Sequence, residues 1–467
     1  MSYGASASVP GTSCVRDADA QIIRMTCQRN GKEPSFMSSS YSPSLIVSGV
    51  PWFDDQGRTV NAHGGCIVED DGVYYLFGEY KTDDENHFAG FSCYSSVNLV
   101  DWTFKRLVLR QQADGLMGPG RIGERVKVVK SPSTGKYVMY MHSDDLEYRD
   151  PHICYAVSDT IDGEYEFVGP VTYQGEPIHR WDLGVFQDDD GSAYLLVHEG
   201  DIYRMSDDRT YAEEKIADEI ALGGEAPTVA HIGGRYYMLF SNKTSWDCNE
   251  NYCLSAPSMH GPWSYQGLFA PEGTQTCNSQ SLFVLNVSAA ERVVPMFMGD
   301  RWSYPHQASA ATYVWQPLTV DDRGRLRIAE YWPSWNPRTG LPEQLAGERI
   351  PLGFRSNAAG DELSVPFHGS RIALEGRADP WGSYARISID RIADDGKRTT
   401  VADPIYVSFY AKSPDTAYRY VSPRLPEGDY VLRVQVTGEI PQWDDKTGQR
   451  YGSVGAFVDV SAAIVMP

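Results

Sequence analysis

Five polar residues stand at the head of short apolar runs in this chain: His63, Glu124, Asp182, Glu225 and Gln280. Three of the five are carboxylates. Solubility explains one acid at the start of a strand; three acids, an imidazole and an amide that converge on one place make a site. The chemistry open to such a set is hydrolysis of a glycosidic bond. That reaction needs one carboxyl whose raised pKa lets it protonate the departing oxygen, and a second group that faces a water or attacks directly. Glu225 is the candidate acid, because it opens a run, precedes Ala226-Pro227 and has apolar neighbours able to raise its pKa. Asp182 opens the neighbouring run, where a second negative charge would keep Glu225 protonated and hold its orientation.

These residues need elements that bring them together. Five times the chain offers an apolar run and then a second one, in most cases across a tight turn. The first runs begin at His63, Glu124, Asp182, Glu225 and Gln280, and Asp-Gly, Thr-Gly and Gly-Gly dipeptides separate several of them from their partners. Such dipeptides mark hairpins, because the turn requires positive φ. A third strand follows in most units, as in Phe91-Ser-Cys-Tyr and His152-Ile-Cys-Tyr. The unit of roughly 45–65 residues suits one four-stranded propeller blade. The expectation is an all-β chain: a five-bladed β-propeller over 46–335, with the start of each blade's first strand at one mouth of the channel. Tyr211–Ile220 is the only helical candidate. Pro333–Gly340 reads as a linker, and 336–467, which lacks the repeat, reads as an antiparallel β-sandwich that binds glycan or buttresses the propeller. Residues 1–45, rich in Ser, Gly and Pro, form an N-terminal extension expected to be partly irregular, with some of it pairing with the last blade.

The net charge of −21 disfavours nucleic acid and anionic lipid as partners and leaves a neutral sugar unpenalised. No apolar stretch is long enough to span a membrane. The eight cysteines all precede residue 278 and contain no C-x-x-C pair; free buried thiols are expected, with Cys248 and Cys253 close enough in sequence to bridge. Met1 leads into no apolar leader, which reads as cytoplasmic if Met1 is native, and as extracellular or periplasmic if a signal was removed. Gly118-Pro-Gly-Arg-Ile-Gly123 matches a dinucleotide fingerprint but is followed by a strand, not a helix, and is set aside.

Asn61-Ala-His-Gly-Gly, Gly78-Glu-Tyr, Glu124-Arg-x-Lys-Val, Asp182-Leu-Gly-Val-Phe-Gln, Glu225-Ala-Pro, Asn278-Ser-Gln and Met298-Gly-Asp-Arg-Trp together resemble glycoside hydrolase family 43, and within it the exo-β-1,3-galactanase branch. The resemblance spans about residues 46–335. It implies a five-bladed propeller, inversion at the anomeric carbon, an acid at Glu225 and a pKa-tuning Asp at Asp182. Most members carry an Asp base at the start of the first blade, where this chain has His63 or Gly64. The galactanase branch shares that loss and has a Gln at the position of Gln280. An amide is a poor base, so the options are that Gln280 holds the water, that it acts as an unusual tautomer, or that Glu124 or Glu79 takes up the proton. The resemblance sets Glu79, Glu124, Tyr148, Thr244 and Trp246 against the sugar, with His63 at the same mouth.

The expected activity is removal of galactose from the ends of β-1,3-galactan. Arabinofuranosides or galactofuranosides are the alternatives within the family, and a non-catalytic carbohydrate-binding protein is the alternative outside it. The partner is an oligo- or polysaccharide. The chemistry requires no cofactor and no catalytic metal, and leaves room for a structural calcium.

Overall fold

The turn dipeptides fold as their chemistry demands: Asp71 and Gly72 take φ of 53° and 74°, and Gly233 and Gly234 take 60° and 75°. Each pair closes a hairpin between two of the apolar runs. The structure, a computed structural model, describes residues 44–83, 86–290, 292–393 and 395–467; the extension expected over 1–45 lies almost wholly outside them. The chain is all-β, with helix among the described residues confined to single turns.

Five sheets follow one another, antiparallel but for one parallel contact of Tyr173 with Ala212 in the third. The first holds His63–Asp70, Val73–Glu79, Gly90–Ser96 and Thr103–Arg110; the second, Arg121–Lys130, Tyr137–Asp145, His152–Ser158 and Glu166–Pro170. The third begins with Leu183–Gln187 and Ala193–Val197 and is extended to six strands by the short pair Thr172–Tyr173 and Glu176–Pro177. The fourth begins at Glu225–Ile232, and the fifth is Gln280–Ala289, Arg292–Arg301 and Thr312–Pro317. The first strands adjoin in chain order, and the fifth adjoins the first. Each neighbouring pair of sheets has its own apolar cluster, such as Phe77, Phe91, Met139 and Met141 between the first and second, and Leu76, Met296 and Trp315 between the fifth and first. Sheets with an apolar face on both sides bury it only against further sheets, which is why the units stack face to face.

Tyr211–Ile220 is not helical. Ala212–Ala217 is a strand on Asp201–Met205, because the edge of the third sheet offers backbone partners that a short amphipathic pattern cannot refuse. The expected linker is structured too: Ser334–Asn336 pairs with Ile46–Val47 and Leu341–Pro342, with Trp335 fully buried. The last sheet is met just after the extension, where the Gly49 amide donates to the Tyr313 carbonyl at 2.7 Å, while the pairing expected within 1–45 lies almost wholly outside the described residues. Six cysteines lie in the described residues and all are free, Cys248 and Cys253 included.

Beyond this, two four-stranded antiparallel sheets share one core. Glu348–Ser356, Val458–Met466, Arg371–Ala378 and Asp415–Val421 face Glu362–Gly369, Gly428–Val436, Tyr384–Ile392 and Arg398–Ser408 across a cluster that includes Leu374, Ile387, Leu432 and Val460. A small hairpin, Gln442–Asp444 with Arg450–Gly452, projects from them.

Candidate active site

The first strands do not begin as regular ladders. A register break follows His63, Glu124, Glu225 and Ser281 in turn, so four of the five carry a bulge in their opening residues. In three of them the residue just after the break lies in the left-handed region: Gly64 at φ 63°, Arg125 at 58°, four residues into its strand Arg121–Lys130, and Ala226 at 53°. Bulges re-aim side chains at strand ends. A non-glycine residue persists at positive φ only where its surroundings impose it, a strain that concentrates at functional sites.

Around these bulges the carboxylates form two groups. In one, Glu225 is half-buried and accepts a hydrogen bond from Gln280 Nε2 at 2.7 Å. Burial first, and the charge of Asp182 second, push the Glu225 carboxyl up to about 8. Asp182, itself at φ 34°, accepts the Ala226 amide at 2.9 Å and lies 3.2 Å from Arg125 Nε. The Gln280 amide is fully engaged: Nε2 also donates to Ser241 Oγ at 3.1 Å, and Oε1 accepts from Arg125 Nη2 at 2.7 Å and Trp302 Nε1 at 2.8 Å.

In the second group Glu124 accepts hydrogen bonds from Tyr148 Oη at 2.7 Å and Asn86 Nδ2 at 3.0 Å. His142 stands between Glu124 Oε2, at 3.6 Å from Nδ1, and Asp144, at 3.2 Å from Nε2. Burial works against the His142 charge, but the two carboxylates outweigh it and hold the imidazolium up to about 9. Burial would likewise raise Glu124; the neighbouring His142 and the charge of Lys81 overcome that and keep it well below the ordinary carboxylate range. Glu79 accepts the Arg125 amide at 2.8 Å and pairs with Lys81 Nζ at 2.6 Å; burial, reinforced by Glu124, keeps its carboxyl raised despite Lys81.

Arg125 joins the two groups. Its guanidinium serves Asp182 and Gln280 and lies 5.6 Å over the Trp302 ring, while its backbone amide serves Glu79. Lys127 sits beneath, where its Nζ donates to the Gly64 carbonyl at 2.9 Å and to the Arg125 and Val126 carbonyls at 3.3 Å; burial lowers it to about 8.

Of the residues expected at the site, Glu225, Asp182 and Gln280 come together, and Glu124, Glu79 and Tyr148 form the adjoining group. Trp246 is half-buried beside them, 5.5 Å from Trp302 and parallel to Tyr304 at 6.1 Å, with Lys81 Nζ 5.2 Å over its ring. Thr244 spends its hydroxyl within its own loop, donating to the Asp247 carbonyl at 2.7 Å and accepting from Asn249 at 2.8 Å. His63 does not present a face to a sugar. The bulge turns its ring inward, where it is fully buried and stacks on Tyr313 at 4.8 Å, with Nδ1 3.5 Å from Asp300. Arg125, Lys81, His142 and Trp302 escaped the sequence reading. Arg125 and Trp302 lay inside quoted motifs, but nothing in the sequence assigned them partners as far as 155 residues away.

Glu124, His142 and Asp182 each offer one ligand atom within a span of 4.8 Å. They do not fit a calcium ion, which takes six to eight oxygens. The set supplies one nitrogen, and its carboxylates already face His142 and Arg125.

A carboxyl held protonated at neutral pH, beside a second carboxylate paired with an arginine on an all-β scaffold, is the equipment of a glycoside hydrolase. No protein-family model and no curated protein matches the chain. Solved structures do. A Bifidobacterium bifidum protein assigned as an exo-β-1,3-galactanase is 36% identical over 60% of this chain and 95% of its own, with a TM-score of 0.56. A Bacteroides β-1,3-galactosidase of glycoside hydrolase family 43, solved with galactodeoxynojirimycin, is 28% identical over 60% of this chain and 97% of its own, at 0.56. The Phanerochaete chrysosporium exo-β-1,3-galactanase, solved with galactose, is 25% identical and covers 90% of this chain and 98% of its own, at 0.64. The chain belongs to glycoside hydrolase family 43 and is an enzyme that hydrolyses glycosidic bonds.

Proposed function

We propose that this enzyme is an inverting exo-glycosidase that releases galactose from β-1,3-galactan. The observation that carries this reading is what stands at the start of the first sheet. Gly64 has no side chain there, the Glu79 carboxylate fills the volume, and the amide Gln280 rather than a carboxylate is the partner of Glu225. The galactanase branch that the sequence resembles has the same substitution of amide for acid. The galactanases and galactosidases among the similar structures support galactose as the sugar.

In this mechanism Glu225 gives its proton to the leaving oxygen, and Asp182 keeps that proton in place by like-charge repulsion. A water attacks the opposite face of the sugar. Acid and water-side group then need about 6.5–9.5 Å between them. Gln280 and Glu225 touch at 2.7 Å, so a sugar must part them before Gln280 can take up a water. Glu124, already ionised, is the alternative acceptor of the water's proton; in the first role it grips a sugar hydroxyl together with Tyr148. Glu79 and Trp246 complete the sugar's surroundings. No cofactor enters any step. We further propose that residues 46–335 are a five-bladed propeller, supported by the cyclic order of the first strands, and that 336–467 are a β-sandwich, supported by the core shared between its two sheets.

The test is product analysis on β-1,3-galactan beside aryl arabinofuranosides and galactofuranosides, with proton NMR of the fresh product. Release of single galactose units with inverted configuration is expected. Release of arabinose or galactofuranose instead, or net retention, overturns the reading.

A further inference from the structure

Trp181 is 39% exposed, whereas the other tryptophans in the five sheets of the site are buried or half-buried. It immediately precedes Asp182 and packs into no apolar cluster. A single exposed apolar side chain is ordinary on a protein surface; what sets Trp181 apart is its place beside the site. Its position is nevertheless held on two sides. Nε1 donates to the Tyr148 carbonyl at 3.2 Å, and the ring meets His198 edge-on at 5.1 Å. Both anchors are tied to the site: Tyr148 donates its hydroxyl to Glu124, and the His198 amide donates to the Asp182 carbonyl.

We infer that Trp181 is the stacking platform for the sugar on the leaving-group side of the scissile bond. The inference rests on the glycosidase reading of the site. Glu225 must face the departing oxygen, and the His198 turn that meets Trp181 continues into Glu199, whose amide donates to the Gly224 carbonyl at 2.8 Å, one residue before Glu225; the ring thus stands on the side of the site that the acid's own strand forms. A pyranose presents one face of C–H groups, and an indole held by its N–H and one edge keeps a face free to cover it. The ring is fixed before the sugar arrives, so stacking costs little side-chain entropy. A polysaccharide end would then be gripped beyond the residue that is cleaved.

The test compares a disaccharide with the glycosyl fluoride of the same sugar, whose leaving group is too small to reach Trp181. The sugar is the one that wild-type enzyme releases fastest from galactopyranosides, arabinofuranosides and galactofuranosides, so wild-type rates judge the galactan reading and the variants judge Trp181. In Trp181→Leu the ratio of kcat/KM on disaccharide to kcat/KM on fluoride should fall about tenfold, the size expected of a good aromatic contact. Trp181→Tyr, which keeps a flat ring and loses the N–H, should retain most of that ratio. Equal losses on both substrates, or Leu and Tyr variants that behave alike, would overturn the proposal.

Discussion

A side-chain carbon at position 64 would stand 1.8 Å from Glu79 Oε1. The first strand gives up its side chain at φ 63°, and a carboxylate from the next strand takes the volume that an aspartate at its start would occupy. Gly64 and Glu79 are therefore alternatives for one place. Gly64→Asp should restore no base. It should cost activity at least about a hundredfold and lower Tm by several degrees, since overlap adds to the roughly 1–2 kcal/mol of positive-φ strain. Gly64→Ala should fail in the same way, by melting curve and by kcat.

Removing the acid distinguishes it from every other carboxylate in the cluster. Glu225→Gln should lower kcat on the natural polymer by about two to four orders of magnitude, the worth of positioned proton transfer. The loss should be far smaller on a glycosyl fluoride, which leaves without a proton. Equal losses on the two substrates would remove Glu225 from that role.

Glu225 must carry its proton to act, and its carboxyl is raised to about 8, by burial and then by Asp182. kcat/KM should thus hold through neutrality and fall as pH rises through about 8. Asp182→Asn deletes the like charge, so the proton should leave at lower pH and the alkaline limb should move down. A pH–rate profile whose alkaline limb is the same in wild type and variant would sever Asp182 from the tuning.

The water side separates by kinetics. Gln280→Ala should lower kcat strongly with sugar affinity kept, because the lost contact is to water. If Glu124 is instead the base, Glu124→Gln should cause the larger loss and abolish the acidic limb of the profile. A Gln280→Ala enzyme with near-normal kcat would transfer the role to Glu124.

The C-terminal sheets reach the site through Asn278, two residues before Gln280. Its side chain donates to the Ser413 carbonyl at 2.9 Å and accepts the Ser413 amide at 2.8 Å, from the end of a turn whose four residues all have positive φ. Asn278→Ala should lower Tm by a few degrees, for two hydrogen bonds worth about 1 kcal/mol each. It should also lower kcat on small glycosides, which have no need of a remote glycan-binding surface. A variant impaired only on polymer would mean that this contact does not position Gln280.

What the sequence determined by itself is what local chemistry carries. Asp-Gly and Gly-Gly announced hairpins because only such residues accept their dihedral angles, and apolar alternation announced the strands between them. The repeat put Glu124, Asp182, Glu225 and Gln280 at equivalent strand starts, and the structure joins three of them around Arg125 with Glu124 alongside. Tertiary structure decided the rest. Ala212–Ala217 became a strand because the third sheet had an edge to pair it with. His63 turned into the core because a bulge and the Tyr313 ring, 250 residues on, claimed it. Lys81 and His142 became the charges that keep Glu124 ionised, and Asp182 the charge that keeps Glu225 protonated, only when burial stripped these groups of water. Desolvation and pairing at that range belong to the packed molecule, and no spacing along the chain encodes them.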